Sequence, residues 1–547
     1  MTTLWQRSVW ARQGKRVFLQ IHKRIWLHFF ACLLLSLGVS GIADSKTVLH
    51  RSNAGQAGTL DPHLSIGAFR GAVLTELFEG VVSSDGSGNL VPALAGSWTM
   101  SLDETVYTFH IKEDLTWSDG TPLNAHDFVY SFRRLMDPQT ASRYATYYYP
   151  IVNGESVTRG VVPPEELGVA APDDHTLVFS LSQPTPYILE ILYHEAARPV
   201  PRHAIEKFGQ DWVKPENMVT SGPYRLVEYI PNTYLKLARN DAYYEADQVS
   251  VDEVLFYPMN DNATAVTRFR AGEYDEVFTI PRAHLTMMQK EMPEAVRIGP
   301  MPGLVYYAFN TKIAPFDDVR VRRALSMAVD RELIAERIVG SGETPAHNYL
   351  PQGLPGYVDQ PVAPYLDIPK AERVTEAIQL LQDAGFGPAN PLSFEVSFDN
   401  RDEYRRVAVA LQAMWRPLGV FPELLNKEFQ VHYADMQSRN FQMAQTSILA
   451  PYLDVSSILI YLESGAVGFN TTGFNNAEFD EAVKSANRTS DLEARAKLIY
   501  RAEEILLERV PIIPLYNTVS KYLLNPKIRG WAHNVRVRHP ARYMSFE

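Results

Sequence analysis

The chain has 547 residues, of which 46% are hydrophobic and 21% are charged, and its formal net charge is −11. This length exceeds what one hydrophobic core supports and indicates two or three domains of a soluble globular protein. The acidic balance argues against nucleic acid as a partner, because binding to phosphates needs a basic surface.

The N-terminal segment differs in composition from the rest of the chain. Residues 1–43 include basic residues but no acidic ones, and an apolar run occupies Trp26 to Val39. Gly41 and Ala43 then place small side chains at the −3 and −1 positions of a cleavage site. This order predicts a secretory signal peptide over residues 1–43, with cleavage near Ala43 and a periplasmic mature protein. An uncleaved membrane anchor is the alternative, although the run is shorter than the roughly 20 residues of a spanning helix.

Cysteine usage is the next constraint. Cys32 is the single cysteine of the chain, and it lies inside the predicted signal peptide. The mature protein is therefore expected to lack disulfides and thiolate metal ligands, so that its stability comes from size and packing. We predict no metal and no other cofactor.

The stretch from Pro92 to Pro138 predicts a strand, a turn and a helix. Residues 107–111 alternate between apolar and polar types, as in a half-buried strand. Residues 119–122, Asp-Gly-Thr-Pro, have the composition of a tight turn. Asn124 is placed to cap a helix whose apolar residues recur at helical spacing over residues 128–135.

The sequence motifs of this stretch closely resemble the signature of the family 5 periplasmic solute-binding proteins of ABC importers. That family includes the oligopeptide-, dipeptide- and nickel-binding proteins, and its members carry a similar series W-x-x-S-x-D, Y-T-F, W-S-D-G-x-P and A-x-D-F-x-Y-S. The matching residues here are Trp98, Ser101 and Asp103, Tyr107 to Phe109, Trp117 to Pro122, and Ala125 to Ser131. Because several uncommon motifs occur in the same order as in the family, the resemblance is specific.

The remaining chain predicts further short strands and helices. The predicted strands are 47–53, two strands within 168–181, 391–398 and 510–516, and the predicted helices are 372–384, 405–415, 492–507 and one that begins at Asp318. Further motifs that match the family lie at Thr75 to Val81, Ser221 to Tyr224, Arg268 to Asp275 and Val319 to Arg331. The resemblance therefore runs from about residue 47 to the C-terminus.

The resemblance implies a mixed α/β fold of two lobes that close on a ligand about a hinge, built from three domains. Domain I is expected to be discontinuous and domain III to form the second lobe. The expected ranges are 44–78, 202–301 and 518–547 for domain I, 79–201 for domain II, and 302–517 for domain III.

The resemblance also implies ligand-binding residues, which we predict as Tyr144, Asp454, Ala68 and Phe429. Tyr144 matches the tyrosine of an S-x-Y-A-x-Y series that contacts bound peptide in oligopeptide-binding relatives. Those relatives also pair the ligand's ammonium group with an aspartate in W-x-A-D-Y, a position that Pro451 occupies here. Asp454 is the nearest carboxylate and replaces this anchor if the loop is rearranged; the alternative is that it merely caps the following helix.

The residues expected to bind the peptide carboxylate also differ from those of the relatives. They use Lys and His to meet the peptide carboxylate, and Val339 and Tyr404 stand at the corresponding positions. An altered ligand class therefore stays open.

No catalytic motif is present in the sequence. It lacks a G-x-S-x-G elbow, a Walker A loop, a G-x-G-x-x-G fingerprint and paired Cys-x-x-Cys. His194 begins half of a zinc-protease HExxH motif, but Arg198 stands where the second histidine is required.

We therefore predict a monomeric binding protein, not an enzyme. It captures short peptides between its lobes and delivers them to an inner-membrane ABC permease. The alternatives are a sugar, opine or metal chelate as ligand on the same fold, a ligand sensor that does not feed transport, and a periplasmic hydrolase.

Overall fold

The structure is a computed structural model that describes residues 46–55, 58–65, 68–259, 261–355, 359–466 and 468–547. The predicted signal peptide lies outside these residues and stays a prediction. The chain divides into Met1–Thr47 and one compact unit, Val48–Glu547, which holds everything considered below. Over the described part of the chain, no helix combines the length and the apolar composition that crossing a membrane requires.

The strands are numbered here in chain order. They are β1 Val48–Ala54, β2 Val82–Ser84, β3 Leu90–Pro92, β4 Ala95–Met100, β5 Val106–Ile111, β6 Val169–Asp173, β7 Thr176–Ser180, β8 Tyr224–Ile230, β9 Tyr234–Arg239, β10 Glu253–Met259, β11 Glu276–Phe278, β12 Val296–Phe309, β13 Thr344–Pro345, β14 Glu395–Asp399, β15 Glu423–Lys427, β16 Met443–Leu449, β17 Ile512–Leu524, β18 Ile528–Arg529 and β19 Ser545–Phe546.

The α-helices of the described residues range in length from four to eighteen residues. They are Ala68–Leu77, Ala125–Met136, Gly154–Thr158, Ile188–Tyr193, Arg202–Phe208, Asn262–Arg270, Arg282–Glu291, Val319–Met327, Lys370–Asp383, Asp402–Trp415, Phe429–Gln437, Ser456–Leu459, Ala477–Ala486 and Leu492–Arg509. A π-helical segment covers Leu333–Val339.

A large mixed sheet runs through the whole unit, in the order β15-β14-β16-β12-β17-β11-β1-β10-β9-β8, with β13 paired to β17. One half of it, β8 to β11 and β1, comes from residues before 280, and the other half from β12 onwards. The long strand β17 joins the two halves, because it pairs antiparallel with β11 of the first half and with β12 of the second. The predicted strand 510–516 is thus longer than expected, since β17 continues across the sheet to Leu524.

The pairing of β12 with β17 is interrupted in the middle of the sheet. The register shifts between Pro300 and Leu304, where prolines at 300 and 302 cannot donate to the ladder. A Cβ on Gly303 would lie 2.5 Å from Thr518 Oγ1 and 2.9 Å from the backbone oxygen of Ile448, so the site accepts only glycine without rearrangement. The domain boundaries predicted at 301/302 and 517/518 fall at this interruption, while the three-domain division itself stays a prediction.

The strand-turn-helix prediction for residues 92–138 is confirmed. β5 lies in an antiparallel sheet of order β4-β5-β7-β6. Asn124 caps the helix Ala125–Met136 through a capping box, in which its side chain accepts from His126 N and Asp127 accepts from Asn124 N. Phe128 and Phe132 of this helix are fully buried in the core. These signature residues therefore build the fold, by capping a helix and filling the core.

The apolar cores follow the same division of the chain as the large sheet. One core combines residues between Leu49 and Phe256 with Tyr452 and with the C-terminal residues Leu524, Ile528, Ala541 and Met544. Two further cores are built almost entirely from residues 304–516. The C-terminal tail thus returns to pack against the N-terminal part, after the chain has built the other half of the sheet.

Candidate ligand-binding cleft

Two neighbouring cavities lie where these halves meet. Cavity A, of about 370 Å³, is lined by Arg51, Glu76 and Glu276 on one side and by Glu403, Tyr404 and Tyr516 on the other. Cavity B, of about 300 Å³, is lined by Arg143, Tyr144, Tyr147, Pro451, Tyr433 and Tyr461. Leu449, at the end of β16, and Arg538 line both cavities, so the two cavities adjoin, and together they are called the cleft.

A buried ion cluster forms one wall of cavity A. Arg51, on β1, donates to Glu276 at 2.7 Å and to Glu76 at 3.1 Å, and all three side chains are almost fully buried. One oxygen of each glutamate, Oε2, has no hydrogen-bond partner among the described residues. Two carboxylates thus share one guanidinium. Burial raises the pKa of Glu76 to about 7, although the nearby Arg51 opposes the shift.

The opposite wall of cavity A carries a carboxylate, Glu403, that forms no ion pair with a described cation. Glu403 lies in the first turn of the helix Asp402–Trp415 and accepts a hydrogen bond of 2.6 Å from the Tyr516 hydroxyl. It forms no ion pair with any described residue. The neighbouring Arg401 pairs with Asp399 instead, and its guanidinium lies 4.1 Å from the centre of the Tyr404 ring.

Cavity B is dominated by aromatic rings. The Tyr144 ring lies 5.8 Å from that of Tyr147 and 4.5 Å from that of His194, while Tyr147 packs edge-on against Tyr452 at 5.4 Å. Tyr461 and Tyr433 add rings from residues beyond 430. Such surfaces offer large apolar contact area with polar tips, which suits a ligand that carries rings or aliphatic groups.

The charged groups of cavity B are mostly arginines. Arg536 forms a bidentate pair with Glu190 at 2.7 Å, and Arg538 pairs with Glu195 at 2.9 Å. Arg143, at the exposed side of the cavity, donates to the Tyr433 hydroxyl at 3.2 Å and forms no ion pair with a described carboxylate. Burial lowers the pKa of His194 to about 4, so this histidine is neutral near pH 7.

The four residues predicted from the sequence have different positions. Tyr144 lines cavity B, as a ligand contact requires. Phe429 lines neither cavity; it is 48% exposed and stacks on Tyr433, whose own ring reaches the cavity. Ala68 begins the helix Ala68–Leu77, and its side chain lies outside the described part of the structure. Contact of these residues with a ligand stays a prediction.

Asp454 does not have the accessible environment that a contact with the ligand's ammonium group requires. It is 5% exposed, forms a bidentate ion pair with Arg495, and accepts from Ser456 N at 2.9 Å. It lines neither cavity A nor cavity B. The geometry therefore places Asp454 in the turn before the helix Ser456–Leu459, whose N-cap is Val455, and in a buried ion pair, and it argues against the predicted ammonium contact. Pro451, at the position expected of the anchor, does line cavity B.

Several residues of the cleft gave no signal in the sequence. Arg143 directly precedes Tyr144, so its proximity to the tyrosine cluster is the only sequence feature that points to it. Glu76 and Glu276 are two hundred residues apart and meet only because β1 pairs with β11 and the helix Ala68–Leu77 packs beside them. The described residues contain no group of three or more His, Cys, Asp or Glu side chains able to hold a metal ion.

Comparison with known proteins places this cleft in a family. The sequence profile of the bacterial extracellular solute-binding proteins, family 5, matches residues 89–470. A curated relative, the periplasmic oligopeptide-binding protein OppA of Salmonella typhimurium, is 36% identical, with 90% of each chain covered. Another, the probable deoxycholate-binding periplasmic protein YgiS of Escherichia coli, is 35% identical over 89% of this chain and 91% of its own.

Among solved structures, Haemophilus influenzae OppA in complex with the peptide RPPGFSPFR superimposes with a TM-score of 0.82 at 32% identity, covering 92% of this chain and 99% of that one. The protein is thus a two-halved α/β binding protein with a cleft at the junction. It belongs to family 5 of the bacterial extracellular solute-binding proteins.

Proposed function

We propose that the protein is the periplasmic substrate-binding component of an ABC importer. It captures short peptides in the cleft formed by cavities A and B and delivers them to an inner-membrane permease, acting as a monomer and not as an enzyme. The N-terminal signal peptide, cleaved near Ala43, directs it to the periplasm.

The observation that carries this proposal is the composition of the cleft walls. Its two cavities share the lining residues Leu449 and Arg538, and they combine a charged part with an aromatic part. An extended peptide presents charged ends, backbone amides and side chains along one line. Leu449, at the end of β16, lines both cavities. The oligopeptide-binding names of the relatives support the same ligand class.

Isothermal titration calorimetry against mixed di-, tri-, tetra- and pentapeptides tests the proposal. Binding should also raise the melting temperature by mass action. Deoxycholate, the ligand in the name of the 35% identical relative, is the non-peptide comparator. Binding of deoxycholate with no response to any peptide length would overturn peptide capture, whereas binding of peptides alone would support it.

A further inference from the structure

Tyr452 and Leu453 are consecutive residues of the loop after β16, and they belong to different cores. Leu453 packs with Ile458 in a core of the second half of the molecule. Tyr452 instead joins the core that the first half builds with the C-terminal tail. Of the described residues from 302 to 517, it is the one buried side chain in that core. The Tyr452 ring therefore crosses from the second half to the first.

Two tyrosines of the first half form a slot around this ring. The Tyr147 ring meets the Tyr452 ring edge-on, at 5.4 Å between their centres, and the Tyr187 ring lies nearly parallel to it, at 6.1 Å and 10°. Both arrangements are favourable for aromatic pairs, and all three residues are less than one-tenth exposed. Beside the slot, Leu453 N donates to Glu190 Oε2 at 3.4 Å, so the backbone of the loop is held as well.

Polar contacts between the two halves surround these buried rings. They pair Arg143 with the Tyr433 hydroxyl, Arg488 with Gln183, and Ser490 with Glu104. A buried aromatic centre inside a polar rim is the anatomy of interfaces between separate proteins, and interfaces between domains of one chain resemble transient complexes in this respect. The contact is therefore suited to forming and separating as a unit.

The slot also closes one side of cavity B. Tyr147 and Tyr452 line this cavity, whereas Tyr187 lines neither cavity A nor cavity B. Withdrawal of Tyr452 from the slot would separate these two lining residues and open the cavity between them. Tyr187 thus contributes to closure but not to the cleft surface, which allows closure and ligand contact to be tested separately.

We infer that Tyr452 is a latch, and that its slot between Tyr147 and Tyr187 holds the cleft closed through contacts of the protein alone. Such a latch raises the fraction of molecules in the closed arrangement, and the apparent affinity for a ligand scales with that fraction. The effect on affinity rests on the proposed function, because it concerns capture in the same cleft. The effect on closure is a property of the protein without added ligand.

Two exposed leucines allow the distance across the latch to be measured. Leu102 is fully exposed and Leu492 is 66% exposed, and they lie two residues from Glu104 and Ser490, which meet across the contact. Because the mature protein is expected to lack cysteine, Leu102→Cys with Leu492→Cys provides two unique sites for spin labels on the full mature chain. Double electron–electron resonance then measures their separation, after bound molecules have been removed by denaturation and refolding.

Variants of the latch are compared in this labelled background. Tyr187→Ala should shift the ligand-free protein towards longer distances, whereas Tyr187→Phe, which keeps the ring, should retain the wild-type distribution. Ser490→Glu leaves the buried rings unchanged and opposes Glu104 with a like charge, so it should also lengthen the distance. Addition of Glu104→Lys replaces this repulsion by attraction and should restore the shorter distance.

Binding provides a second measurement of the latch. With trialanine as the ligand, Tyr187→Ala should weaken the affinity roughly 2- to 10-fold, the range expected for loss of one aromatic pair. Dissociation should become faster, because release requires the latch to open. Tyr187→Phe should bind trialanine as the wild type does.

The outcomes separate the latch from the function beneath it. If Tyr187→Ala and the wild type have the same distance distribution without ligand, or if Glu104→Lys fails to reverse the effect of Ser490→Glu, the latch is wrong while peptide capture stands. If the distances respond as expected but no peptide of any length binds, the latch stands and the proposed function is overturned.

Discussion

Asp454 and Arg495 form a buried bidentate ion pair, with Nη1 2.8 Å from Oδ2 and Nη2 2.7 Å from Oδ1. Arg495 lies in the helix Leu492–Arg509 and Asp454 just before the short helix Ser456–Leu459. The pair therefore joins a loop at the edge of the cleft to an 18-residue helix. Because both charges are out of water, each depends on the other.

Removal of the Asp454 charge is expected to reduce stability and leave ligand affinity unchanged. Asp454→Asn leaves Arg495 buried without a counter-charge, a change that costs about 3–5 kcal/mol in comparable pairs. Denaturant unfolding measures this loss, and calorimetry with a bound peptide measures affinity. The double replacement Asp454→Leu with Arg495→Met is the control and should recover part of the stability. A fall in affinity of roughly 10- to 150-fold with stability intact would instead identify Asp454 as the ammonium anchor.

Glu76 should make the folded protein less stable as the pH rises through the weakly acidic range. Its pKa is about 7 in the folded protein and 4.5 ordinarily, so between these values the folded state binds more protons than the unfolded state. The free energy of unfolding therefore falls from pH 4.5 to pH 7, by about 3 kcal/mol for a shift of this size. Denaturation of Glu76→Gln across this range should show that contribution removed.

The matched control for Glu76→Gln is Glu216→Gln, at an exposed carboxylate. It should retain the pH dependence of the wild type. An identical pH profile for wild type and Glu76→Gln would show that Glu76 is ionised throughout and is fully compensated by Arg51.

Much of the fold could be predicted from the sequence, and the charges of the cleft could not. Residues 107–137 specify their strand, turn and helix locally, through alternation, a Gly-containing turn and the Asn124 capping box. Glu276 and Glu403 carry no such local signal. Their partners, Arg51 on β1 and Tyr516 on β17, are brought to them by tertiary pairing across the sheet. Asp454 illustrates the same limit, because its partner Arg495 lies forty-one residues away.

Gly303 is expected to tolerate no larger residue. In Gly303→Ala, the new methyl group would overlap Thr518 Oγ1 and the backbone oxygen of Ile448 at the interrupted pairing of β12 and β17. Overpacking of this kind typically costs about 1–3 kcal/mol, to be measured by denaturant unfolding. Gly465→Ala is the control, since a Cβ there meets no atom within 4 Å. Equal stability of the two variants would show that the two strands separate at this point without cost.

Mass spectrometry of the ligand retained by the purified protein shows whether the cleft holds a peptide. The protein should be isolated from the periplasm without denaturation and its bound molecules released by acid. We expect short peptides in near-stoichiometric amount. Recovery of a bile acid, a sugar or a metal chelate in stoichiometric amount, with no peptide, would contradict it.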